Sequence, residues 1–235
     1  MIVNAARVSF AKDSDWEYDY SDVRMGDREW VNVKVETSKR LSSKDAKLIK
    51  YLASHNHWTP FAHPQITLHM KLPMFVQRQI DKHQIGFVVN EVSRRYVSDE
   101  PELYSPDYWR KAPVDGAKQG SLDEPHPMVL SSTNSDDPDP FEVSLEAWFE
   151  SHNSSSISLY NTLVSEGVAP EQARMVLPMN MYTESWKTGS LYAWANLYKL
   201  RIDGHAQKEI QEVAKQVGEI MEPLFPVSWR ALVDG

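Results

Sequence analysis

The chain has 235 residues, with 25 Lys and Arg against 33 Asp and Glu for a net charge of −8, 41% hydrophobic residues and no cysteine. This is the composition of a soluble globular protein long enough to bury one sizeable core, and a single domain over residues 1–235 is expected. The acidic balance excludes a general affinity for nucleic acid or anionic membrane, so an anionic ligand needs a local basic cluster, and the lack of cysteine excludes a disulfide framework, a thiolate metal site and a cysteine nucleophile.

No apolar run approaches the ~18 residues that cross a bilayer, and the start is not signal-like, which points to the cytoplasm. Val3 to Phe10 reads as a short edge strand. Residues 12–40 are polar and without a sustained period, a loop with weak strand around Trp30 to Val35. Ser42, three residues before Asp45, begins a capping-box-like helix that runs to about Ser54, with Ala46, Ile49 and Ala53 on one apolar line. His55, His57 and His63 follow within nine residues, but no carboxylate or cysteine completes a ligand set, so no metal is expected. Ile66 to Leu72 alternates as a strand. Pro73 stops it and opens a helix on which Arg78 and Lys82, four apart, share a face. Gly86 breaks that helix, and Asn90 to Arg95 emerges on a loop or short strand.

The passage from Arg78 to Arg95 gathers guanidinium, ammonium, amide, carboxylate and hydroxyl groups. That mixture suits an anionic, planar, hydrogen-bonding ligand such as a nucleotide. Residues 112–140 are rich in Pro, Gly, Ser and Asp and read as a long excursion, with Lys118 to Ser121 a tether rather than a phosphate loop. Phe141 to Ser165 is helical in period but interrupted by serines 154–156. Pro170 suits the first position of a helix after Gly167. Thr188 to Asn196 begins another helix, and Ala206 to Glu222 closes the chain with Ile210, Val213, Ala214, Val217, Ile220 and Met221 at i, i+3, i+4 spacing.

Five strings stand in one order: Ala5-Ala6-Arg7-Val8-Ser9; His57-Trp58-Thr59-Pro60-Phe61-Ala62-His63; Arg78-Gln79-Ile80-Asp81-Lys82-His83-Gln84 followed by Asn90-Glu91-Val92-Ser93-Arg94-Arg95-Tyr96; Pro170 to Thr183 with Ala173-Arg174-Met175-Val176-Leu177-Pro178; and Leu200-Arg201-Ile202-Asp203-Gly204-His205-Ala206-Gln207. Together they resemble the flavin-dependent thymidylate synthases (the ThyX family). In that family's R-H-R-x(7)-S signature Lys82 and Gln84 stand here for the two arginines, and one extra residue separates His83 from Asn90.

The resemblance implies a mixed α/β fold (α+β) with a mostly antiparallel central sheet, packed helices and long C-terminal helices. It implies transfer of a one-carbon unit from methylenetetrahydrofolate to C5 of dUMP, with FAD as cofactor and NADPH or NADH as reductant, in a homotetramer whose active sites lie at subunit interfaces. By the same resemblance Gln79, Lys82, Glu91, Ser93, Arg95, Arg174 and Arg201 bind dUMP. Arg201 lies against the pyrimidine as the electrostatic stabiliser, and Ser93, lacking an activating base, is a binder at the reaction centre rather than a nucleophile. FAD falls to Ser9, His57, Thr59, Lys82, His83, Gln84, Asn90, Glu91 and Asn196. Two alternatives stay open. One is a 5-hydroxymethyl-dUMP synthase with the same substrate and flavin, an activity of viral relatives, which would place the protein in a host cytoplasm. The other is a nucleotide- or flavin-binding protein without catalysis.

Overall fold

The structure, a computed structural model, describes residues 1–24, 32–97, 99–113, 120–131 and 142–234. In chain order its first elements are α1 (Ile2–Arg7), β1 (Glu17–Arg24), β2 (Asn32–Arg40), α2 (Ser43–Ser54), β3 (Gln65–Pro73), α3 (Met74–Ile80) and β4 (Phe87–Glu91). There follow β5 (Val129–Ser131), β6 (Glu142–Ser144), α4 (Leu145–Ser165), α5 (Pro170–Ala173), β7 (Tyr182–Ser190), α6 (Leu191–Arg201), α7 (Lys208–Leu224) and α8 (Pro226–Val233). Two compact units result: residues 1–66, 189–199 and 216–235 form the first, and residues 67–188 and 200–215 the second.

In the first unit the Ser42 hydroxyl accepts the Asp45 amide at 3.1 Å, the N-cap its spacing predicts. The face that α2 buries is Asp45, Ile49 and Leu52, one residue round from the expected line of Ala46, Ile49 and Ala53. The reason is Arg7, whose guanidinium meets the buried Asp45 carboxylate at 2.5 Å while the Ser14 hydroxyl donates to the same oxygen at 3.1 Å. That link corrects the expected edge strand at the start. Residues 2–7 are helical and 8–10 continue as a 3-10 turn, with Ile2 and Val3 buried.

Within the expected loop at 12–40 stands an antiparallel hairpin, β1 with β2, paired from Glu17↔Arg40 to Arg24↔Asn32 with a register shift between Asp19 and Tyr20. Residues 32–35 of the expected weak strand are strand as read, and the loop reading of 17–24 and 36–40 is corrected. Its apolar alternation is short, Tyr18 and Tyr20 on β1 and Val33 and Val35 on β2. Polar cross-strand contacts, Arg40 with Asp19 at 3.1 Å and Ser38 with Asp19 at 2.8 Å, accompany the pairing. Trp30 of the expected weak strand lies outside the described residues. The core of this unit is Phe61, Leu191, Trp194, Leu197, Val217, Met221 and Trp229, all buried.

The second unit is built on a three-stranded sheet in the order β3-β7-β4. Thr67 meets Thr188, His69 stacks on Trp186 and Lys71 lies over Tyr182, so β3 and β7 run antiparallel. Thr183 with Glu91, and Lys187 over Phe87, give the same sense for β4. The mixed α/β fold with antiparallel sheets is thus the one expected. Three corrections accompany it. Helix α3 ends at Ile80, with Asp81 as C-cap, so Lys82 lies beyond the helix and does not share a helical face with Arg78. Helix α4 is one uninterrupted run of 21 residues; Ser154 and Ser155 are exposed, where serine costs a helix little. The excursion contains strand pairing, since β5 pairs with β6 and Arg110 bridges Pro125. Lys118 and Gln119 lie outside the described residues.

Candidate active site

In the second unit, α3 and the end of α6 bring three of the expected site residues together. Arg201 donates through Nε to His83 Nε2 at 2.9 Å and through Nη2 to the Gln79 carbonyl at 3.3 Å. Accepting at Nε2 requires that the imidazole keep a lone pair there, which only the neutral ring does. Burial, with the Arg201 guanidinium and then the Lys187 ammonium adding to it, lowers the His83 pKa to about 4. The ring is therefore neutral across the physiological range. Arg201 is half-buried and held at two points of its planar fork, and its remaining N–H groups are available for a flat acceptor edge.

The Gln79 amide donates to Gln207 Oε1 at 2.5 Å, and Gln207 donates in turn to Glu209 Oε2 at 2.8 Å. Arg110 closes this line on Glu209 Oε1 at 2.7 Å. Burial pushes the Glu209 carboxyl up, but the Arg110 and Gln207 hydrogen bonds outweigh it and hold the group below its ordinary range. Beside this line lies a cavity of about 490 Å³ walled by Phe75, Tyr104, Trp109 and Phe149 among others.

The remaining expected residues of this unit stand as follows. Lys82, Gln84 and Asn90 are exposed on the turn after α3 and on β4. Glu91 accepts the Thr183 hydroxyl at 2.7 Å, so one of its oxygens is already engaged. Ser93 Oγ accepts from Arg95 Nε at 3.2 Å, which makes the hydroxyl a partner of the guanidinium and leaves it without a base. Arg174 sits on the 3-10 turn Arg174–Val176, exposed, and donates to the Glu171 carbonyl at 3.2 Å. In the first unit, Ser9, His57 and Thr59 are exposed and Asn196 is half-buried on α6.

The family model described as "Thymidylate synthase complementing protein" matches residues 1–227. The flavin-dependent thymidylate synthase of Thermosipho africanus is 37% identical over 190 residues, 81% of this chain and 77% of that protein. The chain belongs to the flavin-dependent thymidylate synthase family. The enzyme of the same name from Thermus thermophilus is 35% identical over 190 residues, 80% of this chain and 63% of its own. Among solved structures, a UMP/dUMP methylase, PolB of Streptomyces cacaoi, bound with 5-Br UMP, superposes with a TM-score of 0.70 at 24% identity, covering 99% of this chain and 88% of its own. That likeness establishes the fold.

Membership of the flavin-dependent thymidylate synthase family implies a flavin, and the donor chemistry fits one. In the first unit His57 and Thr59 flank Trp58, which is exposed and pairs with Tyr192 at 6.1 Å between centroids. Hydrogen-bonding side chains beside an aromatic surface are what a flat, carbonyl-edged ring system requires. In the second unit Lys82, Gln84 and Asn90 add exposed donors to an anionic or carbonyl-bearing ligand.

Five residues beyond the expected set shape the site: Gln77, Asp81, Lys187, Gln207 and Glu209. Lys187 is 1% exposed on β7. The alternation that marks it, with Thr183, Ser185 and Lys187 facing inward, is entirely polar, and no hydrophobic period announces β7 in the sequence.

Proposed function

We propose that the protein transfers the one-carbon unit of methylenetetrahydrofolate to C5 of dUMP, giving dTMP, with NADPH or NADH as the reductant. The observation that carries the reading is the Arg201 guanidinium, aimed by neutral His83 and by the Gln79 carbonyl. With no thiol in the chain, C5 gains nucleophilic character through stabilisation of charge at the uracil carbonyl edge, and a preorganised guanidinium in a half-buried site supplies that stabilisation. Arg95 and Arg174, with Ser93, Gln79, Lys82 and Glu91, hold the rest of the nucleotide, the arginines by charge-assisted bonds to its phosphate. FAD, held by Ser9, His57, Thr59, Lys82, His83, Gln84, Asn90, Glu91 and Asn196, supplies the hydride chemistry.

Residues 1–235 act as one functional domain in the cytoplasm, and the working form is a homotetramer. The support for assembly is the exposed apolar run Ile85, Val88, Val89 and Tyr96 along β4 and its flanks, an edge that no strand among the described residues covers. One observation favours a second product, 5-hydroxymethyl-dUMP: the turn bearing Lys82 and Gln84 is open, and Ile85 on it is 95% exposed. Excluding water from the reacting carbon is a steric task, and an open turn admits water. The test is mass spectrometry of the nucleotide after incubation with dUMP, methylenetetrahydrofolate, FAD and NADPH. A product one methylene heavier than dUMP establishes dTMP synthesis, one further oxygen establishes the hydroxymethyl product, and unchanged dUMP overturns both in favour of a binding protein.

A further inference from the structure

We propose that Lys187 is a positioning residue of the nucleotide site: its buried ammonium clamps the two flanks of the 82–86 turn and so sets the aim of the His83–Arg201 pair. The inference rests on the reading of that site as the place where dUMP binds.

A lysine buried to 1% exposure in a sheet is rare, because a desolvated ammonium must be compensated. Here the compensation is divided between the two ends of one turn. On the near flank Nζ donates at 3.4 Å to the Ile80 carbonyl, which at the C-terminal end of α3 also accepts the His83 amide at 3.0 Å, and stands 3.7 Å from Asp81 Oδ1. On the far flank it lies 4.9 Å from the centre of the Phe87 ring, the first residue of β4. Asp81 is itself held by Gln77 Nε2 at 2.9 Å, and Gln77 accepts from the buried Ser185 hydroxyl at 3.3 Å. A polar chain Ser185–Gln77–Asp81–Lys187 thus runs beneath the turn that carries Lys82, His83 and Gln84. None of its members is among the groups proposed to touch a ligand.

The charged groups that act on His83 are Arg201 from α6 and Lys187 from β7, while Asp81 and Lys82 are its charged neighbours in sequence. Two of the three cations oppose protonation of the ring directly. Burial lowers the Lys187 pKa as well, with Asp81 pulling the other way. The ammonium therefore acts on His83 in two ways, by fixing the turn and by disfavouring imidazolium. Both preserve the acceptor that Arg201 needs.

Lys187→Met keeps the aliphatic length and removes the charge. Expected results are a His83 titration midpoint raised by about half a unit or more in NMR spectra and dUMP affinity reduced about tenfold, with a lowered melting temperature because the Asp81 carboxylate and the Ile80 carbonyl lose their partner. A purely structural role would lower melting temperature and affinity and leave the His83 midpoint in place. An unmoved His83 midpoint overturns the proposal, and so does dUMP affinity within twofold of the parent's. Should Lys187→Met not fold, Asp81→Asn decides. The Asp81 side chain is 36% exposed, and its variant keeps the lysine while loosening the near flank. A threefold or greater loss of dUMP affinity in it supports the clamp, and parent affinity overturns it. A parent protein that fails to bind dUMP overturns the nucleotide reading instead, and the His83 midpoint in Lys187→Met then decides the clamp by itself.

Discussion

His83 accepts the Arg201 N–H only as the neutral imidazole, so protonation both breaks that bond and places two cations face to face. In an unfolded chain the ring titrates near 6.5, and in the fold near 4. Between those values the unfolded state binds more protons, so the stability tied to this group is complete above 6.5 and is lost as pH falls toward 4. Denaturant unfolding across that interval should show a falling midpoint, and His83→Gln, which cannot take up the proton, should show a shallower fall. Equal slopes in the two proteins would mean that the ring is not held neutral by its surroundings. Arg201→Ala and Arg174→Ala should each weaken dUMP binding by about 1.5–3 kcal/mol, the worth of a hydrogen bond to a charged group, with flavin content unchanged. Calorimetric titration showing parent affinity in both would misplace the nucleotide site.

At the scale of elements, the packing of α6 on α7 in the first unit depends on a glycine. A Cβ at Gly218 would come within 2.8 Å of Tyr198 Cε2. That ring cannot simply swing away, because it packs edge-on against Trp229 at 5.2 Å between centroids. Gly218→Ala gains about 1 kcal/mol of helix propensity but forces a close contact that costs typically 1–3 kcal/mol, so its melting temperature should fall; a rise would show that the two helices separate freely. The start of the chain is tied down in a comparable way. Arg7, in the Ala-Ala-Arg-Val-Ser string, is engaged with buried Asp45 of α2, which makes its role structural while Ser9 two residues on stays exposed. In the second unit, the short α3 ends where Asp81 caps it, and this places Lys82, His83 and Gln84 on a turn rather than on a helix.

For the whole molecule, the expected outcomes concern assembly and cofactor. Sedimentation should give about four times the 27.0 kDa chain mass, and Val88→Glu, a charge placed on the exposed face of edge strand β4, should shift the distribution toward smaller species. A parent that sediments as a single chain would rule out sites built between subunits. Protein equilibrated with FAD and freed of excess should keep the flavin's visible absorption band. Its absence would remove the cofactor part of the proposal. Among the described residues no helix is long and apolar enough to cross a membrane.

The sequence alone determined the elements whose information is local. The Ser42 cap, the alternation of β3 and Pro170 at the first position of α5 each depend on neighbours within a few residues and stand in the structure as spacing predicts. The amphipathic spacing of α7 does so at Ile210, Val213, Ala214, Val217 and Met221, while Ile220 is exposed. The order of motifs from Ala5 to Gln207 likewise named the family, since five strings in one order are carried by the chain itself and need no tertiary contact to be read. What only the tertiary structure decided are the features set by partners far away in the chain. The helix at the start is tied to α2 through Arg7 and Asp45, 38 residues apart, and the hairpin of β1 and β2 is fixed by cross-strand pairs that a short, broken apolar alternation does not announce. Most of all, the link between Arg201 and His83 spans 118 residues, and that between Lys187 and Ile80 spans 107. A buried lysine reads in sequence as one more surface charge. Only the sheet that carries it beneath the turn shows which carbonyl, which carboxylate and which ring it was placed to meet.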